Sequence, residues 1–131
     1  MSETPIQETQ EAEYRAFLAA GTLKMQRCRS CTYVRHPSRW ICPECLSEDW
    51  FWDDLSGRGQ IETFIWYFQA LDPSFSEVPY NVTIVKLEEG PRVITNVVGV
   101  AFNELRVDQA VTAVFEPGPT GTPLLRFSLK K

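Results

Sequence analysis

The sequence predicts a mainly β protein in which an N-terminal helix and a small zinc ribbon precede a five-stranded barrel of the OB type. Three observations support this fold: an amphipathic stretch near the N-terminus, four cysteines in two close pairs, and five strand-like runs separated by turn residues. The 131 residues have room for one domain, or for a metal-stapled module beside a second small domain. We expect residues 1–22 to form a tail and helix, 23–56 the zinc ribbon and 57–131 the OB-fold domain.

The composition is that of an average soluble domain. Hydrophobic residues make up 44% and charged residues 23% of the chain, which excludes the disordered and membrane-spanning classes. The longest apolar runs are far shorter than the roughly 18 residues that cross a bilayer. The first residues carry several glutamates instead of a basic start and an apolar stretch. We therefore expect a cytoplasmic protein with no membrane partner.

The amphipathic stretch predicts a helix from about Thr9 to Ala20. Thr9 can cap its start, and Gly21 supplies a stop. Apolar side chains fall on one face at positions i, i+3 and i+4: Tyr14, Phe17 and Leu18. An isolated helix of about 12 residues is marginal in water. The helix must therefore pack on the ribbon, on the barrel or on another chain.

The cysteines predict one structural metal site. Cys28 and Cys31 form the first Cys-x2-Cys pair, and Cys42 and Cys45 form the second. Two such turns can offer four thiolates in a tetrahedron, which suits zinc at about 2.3 Å from each sulfur, or iron in its place. Disulfide bonding is the rival interpretation, but a cytoplasmic chain is kept reduced. With four sulfurs bound, no coordination position is left for a catalytic water.

The spacer between the two pairs is short. Ten residues separate Cys31 from Cys42, fewer than the common spacing of about 15 to 20. It can still hold a two-stranded ribbon, with Thr32–His36 and Arg39–Ile41 as arms around a turn at residues 37–38. His36 is the only histidine, and we expect an ordinary surface residue rather than a metal ligand.

Positive charge is concentrated near the cysteines. Residues 21–43 contain five cations and no acid: Lys24, Arg27, Arg29, Arg35 and Arg39. Four thiolates around a divalent ion leave a net charge of about -2, which nearby cations would stabilise. Arg27 and Arg29 flank Cys28 directly. These arginines could balance the metal site or bind an anionic ligand, and the sequence leaves both roles open.

The second half of the chain predicts the barrel. Its strand-like runs are Gln60–Ala70, Asn81–Leu87, Val93–Val98, Ala110–Glu116 and Leu124–Ser128. Proline- and glycine-rich turns separate them. A short helical turn is expected over Asn103–Gln109, where an OB barrel places its extra element. Five short antiparallel strands in about 70 residues favour a Greek-key barrel over a sandwich.

Aromatic residues predict surfaces that need cover. Residues 50–52 and 64–68 place bulky side chains on both faces of extended segments, because alternate side chains point to opposite sides. Small barrels bury only one face. The other must be covered by the helix and ribbon, or by a partner protein. The candidate partner-interface residues are Tyr14, Phe17, Trp50, Trp52 and Trp66.

The residues needed for independent catalysis are missing. Nucleophilic catalysis requires an activated serine or cysteine beside a base, yet all four cysteines are assigned to metal and His36 lies on the ribbon. The glycines at 57 and 59 are too close for a phosphate-binding loop. We expect no catalytic residues and no activity of the chain by itself.

The motifs in their order resemble a bacterial and archaeal family of small proteins with a rubredoxin-like zinc ribbon and a C-terminal OB domain, long labelled a domain of unknown function. The resemblance spans about residues 11–128. Its carriers are residues 17–21, 27–31, Pro37, 41–45, 56–59, Pro79-Tyr80, 87–90 and 111–116. In the turn before the fourth strand the family often has glycine. This chain has Asp108 there, and aspartate also tolerates a left-handed turn.

This resemblance implies a role beside thiolase-like enzymes. Members are accessory subunits of thiolases or thiolase-like aldolases in acyl-CoA metabolism, including archaeal isoprenoid synthesis and bacterial breakdown of steroid side chains and aromatic compounds. The small subunit would support its partner and could help to hold the acyl-CoA, with two copies flanking an enzyme dimer in a heterotetramer. The candidate CoA-phosphate contacts are Arg27, Arg29, Arg35 and Arg39.

Two alternatives remain open from the sequence. Zinc ribbons and OB barrels both occur in single-stranded nucleic-acid-binding proteins, where aromatic side chains stack on bases. The presumed barrel, however, carries no net positive charge and the pI is near 5.0, so we expect no nucleic-acid partner. A free-standing acyl-CoA binder is the other alternative.

Overall fold

The first part of the chain forms one helix and a three-stranded antiparallel sheet. In this computed structural model, residues 6–69, 78–118 and 123–129 are described. The chain divides into two units, Met1–Ser56 and Gly57–Lys131. The first contains α1 (Ile6–Ala19), β1 (Lys24–Cys28), β2 (Val34–Arg35) and β3 (Trp50–Asp54), with strand order β2-β1-β3.

Helix α1 begins earlier than the sequence suggested. It starts at Ile6, so Thr9 lies inside the helix and the prediction that it caps the start was wrong. The predicted stop is confirmed. Gly21 has φ of 76°, and the N–H groups of Gly21 and Thr22 donate to the carbonyls of Leu18 and Phe17 at 3.0 and 2.9 Å. This is the hydrogen-bond pattern of a Schellman cap.

Helix α1 packs on the ribbon. The ring of Tyr14 lies 5.2 Å from that of His36, and the ring of Phe17 lies 5.3 Å from that of Trp52. The indole N–H of Trp52 donates to Glu13 at 2.6 Å. The sequence left the ribbon, the barrel and another chain as possible packing partners of the helix. These contacts are all with the ribbon.

The predicted ribbon arms are only partly correct. Val34–Arg35 forms a strand, but residues 39–41 do not, and β1 pairs instead with β2 and β3. Side chains take the place of a strand partner at Arg39: its N–H donates to Gln26 Oε1 at 2.8 Å, and its carbonyl accepts from Arg35 at 2.9 Å. Backbone groups satisfied in this way do not need a ladder.

The second unit is a closed antiparallel sheet with one parallel pair. Its strands are β4 (Arg58–Tyr67), β5 (Tyr80–Leu87), β6 (Arg92–Thr95), β7 (Val97–Val98), β8 (Ala110–Pro117) and β9 (Pro123–Leu129). Their order is β6-β5-β4-β8-β9-β7, with β7 and β9 parallel. All five predicted runs contain strands, but the first prediction was too long: β4 ends at Tyr67, so residues 68–69 are not strand, and residue 70 lies outside the described residues.

The third predicted run is divided into β6 and β7 at Asn96. The chain leaves the edge of β5 and joins β9 at the opposite end of the strand order, which closes the sheet. Alternate side chains fill the interior, and five of them are at most 1% exposed: Ile61, Val85, Leu87, Val111 and Phe127. The OB-fold class is thus confirmed.

The helical turn predicted over Asn103–Gln109 is absent. Two separate turns occupy this segment, closed by N–H groups of Glu104 and Gln109. Asn103 and Asp108 have φ of 74° and 70°, and such left-handed residues interrupt a right-handed helix. The expectation that Asp108 tolerates a left-handed turn is confirmed. No helix in the described residues is long and apolar enough to cross a membrane.

Buried Asn81 fastens the point where the barrel closes. Its side chain accepts from the Val97 N–H at 2.8 Å and donates to the Val97 carbonyl at 2.9 Å. It also accepts from the Thr83 hydroxyl at 2.7 Å, while Asn96 donates to the Asn81 backbone carbonyl. One amide therefore holds the start of β7 against β5.

We expect Asn81→Leu to lower the free energy of unfolding of the second unit by at least about 2 kcal/mol, because buried backbone groups of Val97 lose their partners. Thr83→Val is the matched control. It removes only the hydroxyl and should cost less than about 1 kcal/mol. Urea unfolding followed by amide NMR signals of β5 and β7 measures both, and equal midpoints for the two variants would contradict this role of Asn81.

Candidate metal centre

The first cysteine pair lies on a tight turn at the end of β1. The N–H of Cys28 donates to the Tyr33 carbonyl at 2.9 Å, and the N–H of Thr32 donates to the Cys28 carbonyl at 3.0 Å. Thr32, directly after Cys31, has φ of 68°. This turn brings the two sulfurs of the pair to the same side.

The second pair repeats the same turn. The N–H of Cys42 donates to the Ser47 carbonyl at 2.9 Å, and the N–H of Leu46 donates to the Cys42 carbonyl at 2.9 Å. Leu46 follows Cys45 and has φ of 65°. A left-handed conformation is uncommon for threonine and leucine, so sequence reasoning had no signal for either position.

The two turns bring all four sulfurs together. Cys28 Sγ lies 3.5 Å from Cys45 Sγ, Cys31 Sγ lies 3.6 Å from Cys42 Sγ, and all four atoms lie within 4.8 Å of one another. A disulfide needs about 2.05 Å, whereas sulfurs 2.3 Å from a tetrahedral ion are about 3.8 Å apart. The cluster therefore fits a metal ion and not two disulfides.

The thiols compete unequally for protons. A hydrogen bond from the backbone of Cys31 lowers the pKa of Cys28 to about 6, against the effect of burial. Burial opposes ionisation of Cys42 too, but backbone bonds from Cys45 and Glu44 lower its pKa. Backbone hydrogen bonds thus favour the thiolate forms of both buried cysteines.

The outer two thiols behave in the opposite way. A backbone bond from Tyr33 favours the thiolate of Cys31, yet burial and the neighbouring cysteines raise its pKa to about 12. The pKa of Cys45 is raised for the same kind of reasons, despite a backbone bond from Ser47. Four adjacent sulfurs do not all ionise without a cation, and a divalent ion would supply that charge.

His36 lies outside the sulfur cluster. It is half-buried beneath Tyr14 rather than on the open surface. Burial lowers the pKa of His36, and the nearby Glu11 acts weakly in the other direction. The histidine is therefore a neutral packing residue of the helix–ribbon contact.

The four candidate arginines occupy different environments. Arg27 donates to Asp53 at 2.6 Å and to the Thr32 carbonyl at 2.8 Å. Arg29 lies 3.2 Å from Asp49 and over the ring of Phe51.

The other two arginines differ in burial. Arg35 is only 2% exposed, whereas Arg39 is exposed. The cationic patch expected from the sequence is thus divided between paired, buried and exposed side chains.

The aromatic candidates fall into two groups. In the first unit, Trp50 and Trp52 meet edge to face at 5.2 Å, Phe17 packs on Trp52, and Tyr14 is only 9% exposed. In the second unit, Trp66 belongs to a separate cluster with rings that the sequence analysis did not select. The helix and ribbon residues therefore cover one another to a large extent.

Together, a ribbon with four clustered cysteines and a closed OB barrel define a two-domain zinc-ribbon and OB-fold protein. Two family models match this chain: "ChsH2, rubredoxin-like zinc ribbon domain" over residues 15–50 and "ChsH2, C-terminal OB-fold domain" over residues 52–116. A scaffold protein of the DUF35 family from Methanothermobacter thermautotrophicus is 33% identical over 109 residues, 79% of this chain and 82% of the relative. The chain belongs to this family.

Relatives named as enzyme subunits are also similar. A "Probable enoyl-CoA hydratase alpha subunit" of Thermomonospora curvata is 39% identical over 89 residues, or 68% of this chain, which spans only 28% of that relative's length. "Benzoylsuccinyl-CoA thiolase subunit BbsA" of Thauera aromatica is 27% identical over 115 residues, 86% of this chain and 78% of the relative.

A solved structure matches nearly the whole fold. It is a chain of the "Ltp2-ChsH2(DUF35) aldolase", with a TM-score of 0.85 and 31% identity, covering 96% of this chain and 98% of that chain. The predicted resemblance to this family is confirmed, as is the combination of helix, ribbon and OB fold.

We expect one metal ion per chain, and loss of both metal and folded ribbon in Cys28→Ser or Cys42→Ser. Structural zinc sites contribute about 10–16 kcal/mol at neutral pH, as much as the total stability of a typical domain. Elemental analysis and NMR of protein purified without added metal test this.

Ser30→Ala is the matched control for the cysteine variants. It lies in the same turn and loses only an exposed hydrogen bond to Ser47, so it should keep metal and fold. A wild-type protein with no zinc or iron and two disulfides would overturn the assignment.

The stability of the first unit should depend on pH because of His36. Its pKa is below the ordinary value of about 6.5, so the unfolded chain binds more protons than the folded one in the window below 6.5. The contribution of His36 to the stability of the first unit is therefore fully present above pH 6.5, and it is lost as the pH falls below that value. His36→Gln should unfold with a smaller pH dependence between pH 6.5 and about 5 than the wild type, as measured by urea midpoints at constant zinc. Identical slopes would rule out this contribution.

Proposed function

We propose that this protein is a non-catalytic accessory subunit that binds and supports a thiolase-like enzyme, a thiolase or retro-aldolase, acting on acyl-CoA. The near-complete match to a chain of the Ltp2-ChsH2(DUF35) aldolase carries this proposal. The relative named as a thiolase subunit supports it independently. The setting that we propose is the breakdown of steroid side chains or aromatic compounds, as the sequence resemblance implies, and the benzoylsuccinyl-CoA thiolase subunit supports the aromatic case.

The partner carries the catalytic residues in this proposal. All four cysteines lie in the sulfur cluster, and His36 is packed against Tyr14 with a lowered pKa. None of these groups is free to act as an activated nucleophile with its base. The chain would be required by its enzyme without performing a chemical step.

The metal is structural in this proposal. Four sulfur ligands at tetrahedral spacing favour zinc, and iron can replace it in such a site. The cluster would be held by Cys28, Cys31, Cys42 and Cys45, and the thiolates that hold the metal fit a reducing compartment such as the cytoplasm.

The partner-binding surface that the structure favours is an aromatic cluster on the second unit. Trp66 contacts Phe102 edge to face at 5.4 Å, and Phe102 contacts Phe68 at 5.0 Å. Phe68 is 60% and Phe102 is 49% exposed. Aromatic residues gathered on a surface are typical of the anchors of protein interfaces.

The indole N–H of Trp66 favours a protein partner that offers a hydrogen-bond acceptor over a partner with a purely apolar surface. Its Nε1 is buried, yet it has no hydrogen-bond acceptor in the described part of the chain. A buried donor without an acceptor is costly, and a backbone carbonyl or carboxylate of a partner would satisfy it. A second copy of this chain that met Trp66 with its own Trp66 would bring donor against donor.

The first-unit candidates contribute less surface. Tyr14, Phe17, Trp50 and Trp52 are committed to the helix–ribbon contact, so we assign them to supporting the ribbon and only secondarily to the partner. Contact with the CoA phosphates would rest mainly on Arg39, whose side chain is exposed, and on Arg29 only if a phosphate replaced Asp49 as its partner. Arg27 is engaged with Asp53, and Arg35 is buried.

We further propose a heterotetramer of two small and two enzyme subunits. Thiolases are usually dimers, and closed two-fold assemblies are the commonest symmetry. The proposal also keeps the division of the chain into a tail and helix (1–22), a zinc ribbon (23–56) and an OB-fold domain (57–131). One symmetric enzyme dimer would thus hold one small subunit on each side.

The interface predicts a specific loss of binding. In co-expression with the thiolase-like protein, Trp66→Ala and Phe102→Ala should each weaken the complex by at least about 2 kcal/mol, roughly 30-fold in Kd, as hot-spot aromatics do. Calorimetry and size-exclusion chromatography measure the change.

Ile94→Ser is the control for this experiment. Ile94 is 76% exposed on the same unit but outside the cluster, so its loss should leave affinity unchanged. An enzyme partner that is stable and fully active alone, with no complex at micromolar concentration, would contradict the accessory role. A complex insensitive to both aromatic variants would contradict only the placement of the interface.

A further inference from the structure

Arg35 is a buried cation without an acidic partner. It is 2% exposed, and its guanidinium makes two hydrogen bonds, from Nε to Gln26 Oε1 at 2.8 Å and from Nη2 to the Arg39 carbonyl at 2.9 Å. Its Nη1 has no acceptor among the described residues. Both acceptors are neutral, so nothing in its hydrogen bonding balances its charge.

An uncompensated buried charge is strongly destabilising. Arginine cannot escape this cost by losing its proton, because its pKa is above 12. Folded proteins therefore pair such a charge with an opposite one.

The strand register places Arg35 on the sheet face that carries Cys28. Arg35 lies directly opposite Gln26 on β1, and their side chains are bonded on one face of the sheet. Alternation puts Cys28, two residues further along β1, on that same face. The guanidinium also lies 5.8 Å from the ring of Trp50, which is the residue opposite Cys28 on β3.

The arginines that flank Cys28 are already neutralised. Arg27 is bonded to Asp53 and Arg29 to Asp49. Each of these pairs has no net charge to offer a metal centre. Arg35 is buried and has no carboxylate partner among the described residues, so its charge is not cancelled in this way.

We propose that Arg35 is the counter-charge of the metal centre and that Gln26 positions it. Four thiolates around a divalent ion carry about -2, and Arg35 contributes +1 on the buried side of Cys28. In this poorly screened position each charge offsets the desolvation of the other. The proposal concerns metal binding alone and does not depend on the partner protein.

The test compares zinc affinity in three variants of the full chain. Arg35→Gln removes the charge and should weaken zinc binding by about 10- to 100-fold, as the loss of partners around metal ligands does. Arg35→Lys keeps the charge without the planar fork, so it should stay within about threefold of wild type. Arg39→Gln is the control, because its side chain is exposed and only its backbone serves Arg35.

Competition with a chromophoric chelator at constant pH gives the dissociation constants, and repetition in 1 M salt separates this buried effect from surface charge. Cobalt absorption spectra report whether four sulfurs still bind. Wild-type affinity in Arg35→Gln would overturn the proposal. If that variant fails to fold with metal, Arg35→Lys decides: retained affinity supports the counter-charge, and a loss above tenfold contradicts it.

Discussion

The gathering of four cysteine sulfurs in a cluster that fits one metal ion is the constraint on which the first unit depends. Its three strands have only 5, 2 and 5 residues, and its helix has 14. A unit of this size buries too little apolar surface to be secure by packing alone. A metal ion there would join two turns that are separated by ten residues, and β1, β3 and the helix surround that frame.

The electrostatics of the ribbon follow from the same site. Bringing four sulfurs within 4.8 Å of one another creates competing thiols, two with lowered and two with raised pKa values. A cation resolves that conflict and leaves an excess of negative charge. A buried arginine without a carboxylate is then expected rather than anomalous. Structural metal and buried cation are two parts of one charge balance.

The second unit is stabilised in a different way. Its core is a closed sheet of alternating apolar side chains, and Asn81 fixes the crossing from β6 to β7 through hydrogen bonds. It contains none of the four cysteines. Its aromatic cluster contains a buried donor without an acceptor among the described residues, the indole N–H of Trp66. Two exposed phenylalanines, Phe68 and Phe102, belong to the same cluster. A rigid barrel that presents such a cluster suits a protein that works by contact.

Much of this architecture could be predicted from the sequence. Cysteine spacing indicates the sulfur cluster because two Cys-x2-Cys turns have few other uses, and alternation with turn residues locates the strands. The pairing of strands in the ribbon was harder to predict. Residues 39–41 look like an arm, but side chains of Gln26 and Arg35 satisfy Arg39 instead.

Features that depend on tertiary contacts could not be read from local patterns. Arg35 looks like a surface cation in sequence, since burial of a charge depends on neighbours that the folded ribbon supplies. The left-handed Thr32 and Leu46 are imposed by the metal turns rather than by their own preference. The division of the third barrel run likewise depends on contacts between distant residues, because Asn81 bonds to Val97 and accepts from Asn96.

Native mass spectrometry of this chain co-expressed with the thiolase-like protein of its own cell tests the central claim most directly. The account predicts a complex with two 15.0 kDa chains, two enzyme subunits and one zinc ion in each small subunit. Removal of zinc from the small subunit should prevent its assembly. A metal-free small subunit in a stable complex, or an enzyme that never associates with this chain, would contradict the account.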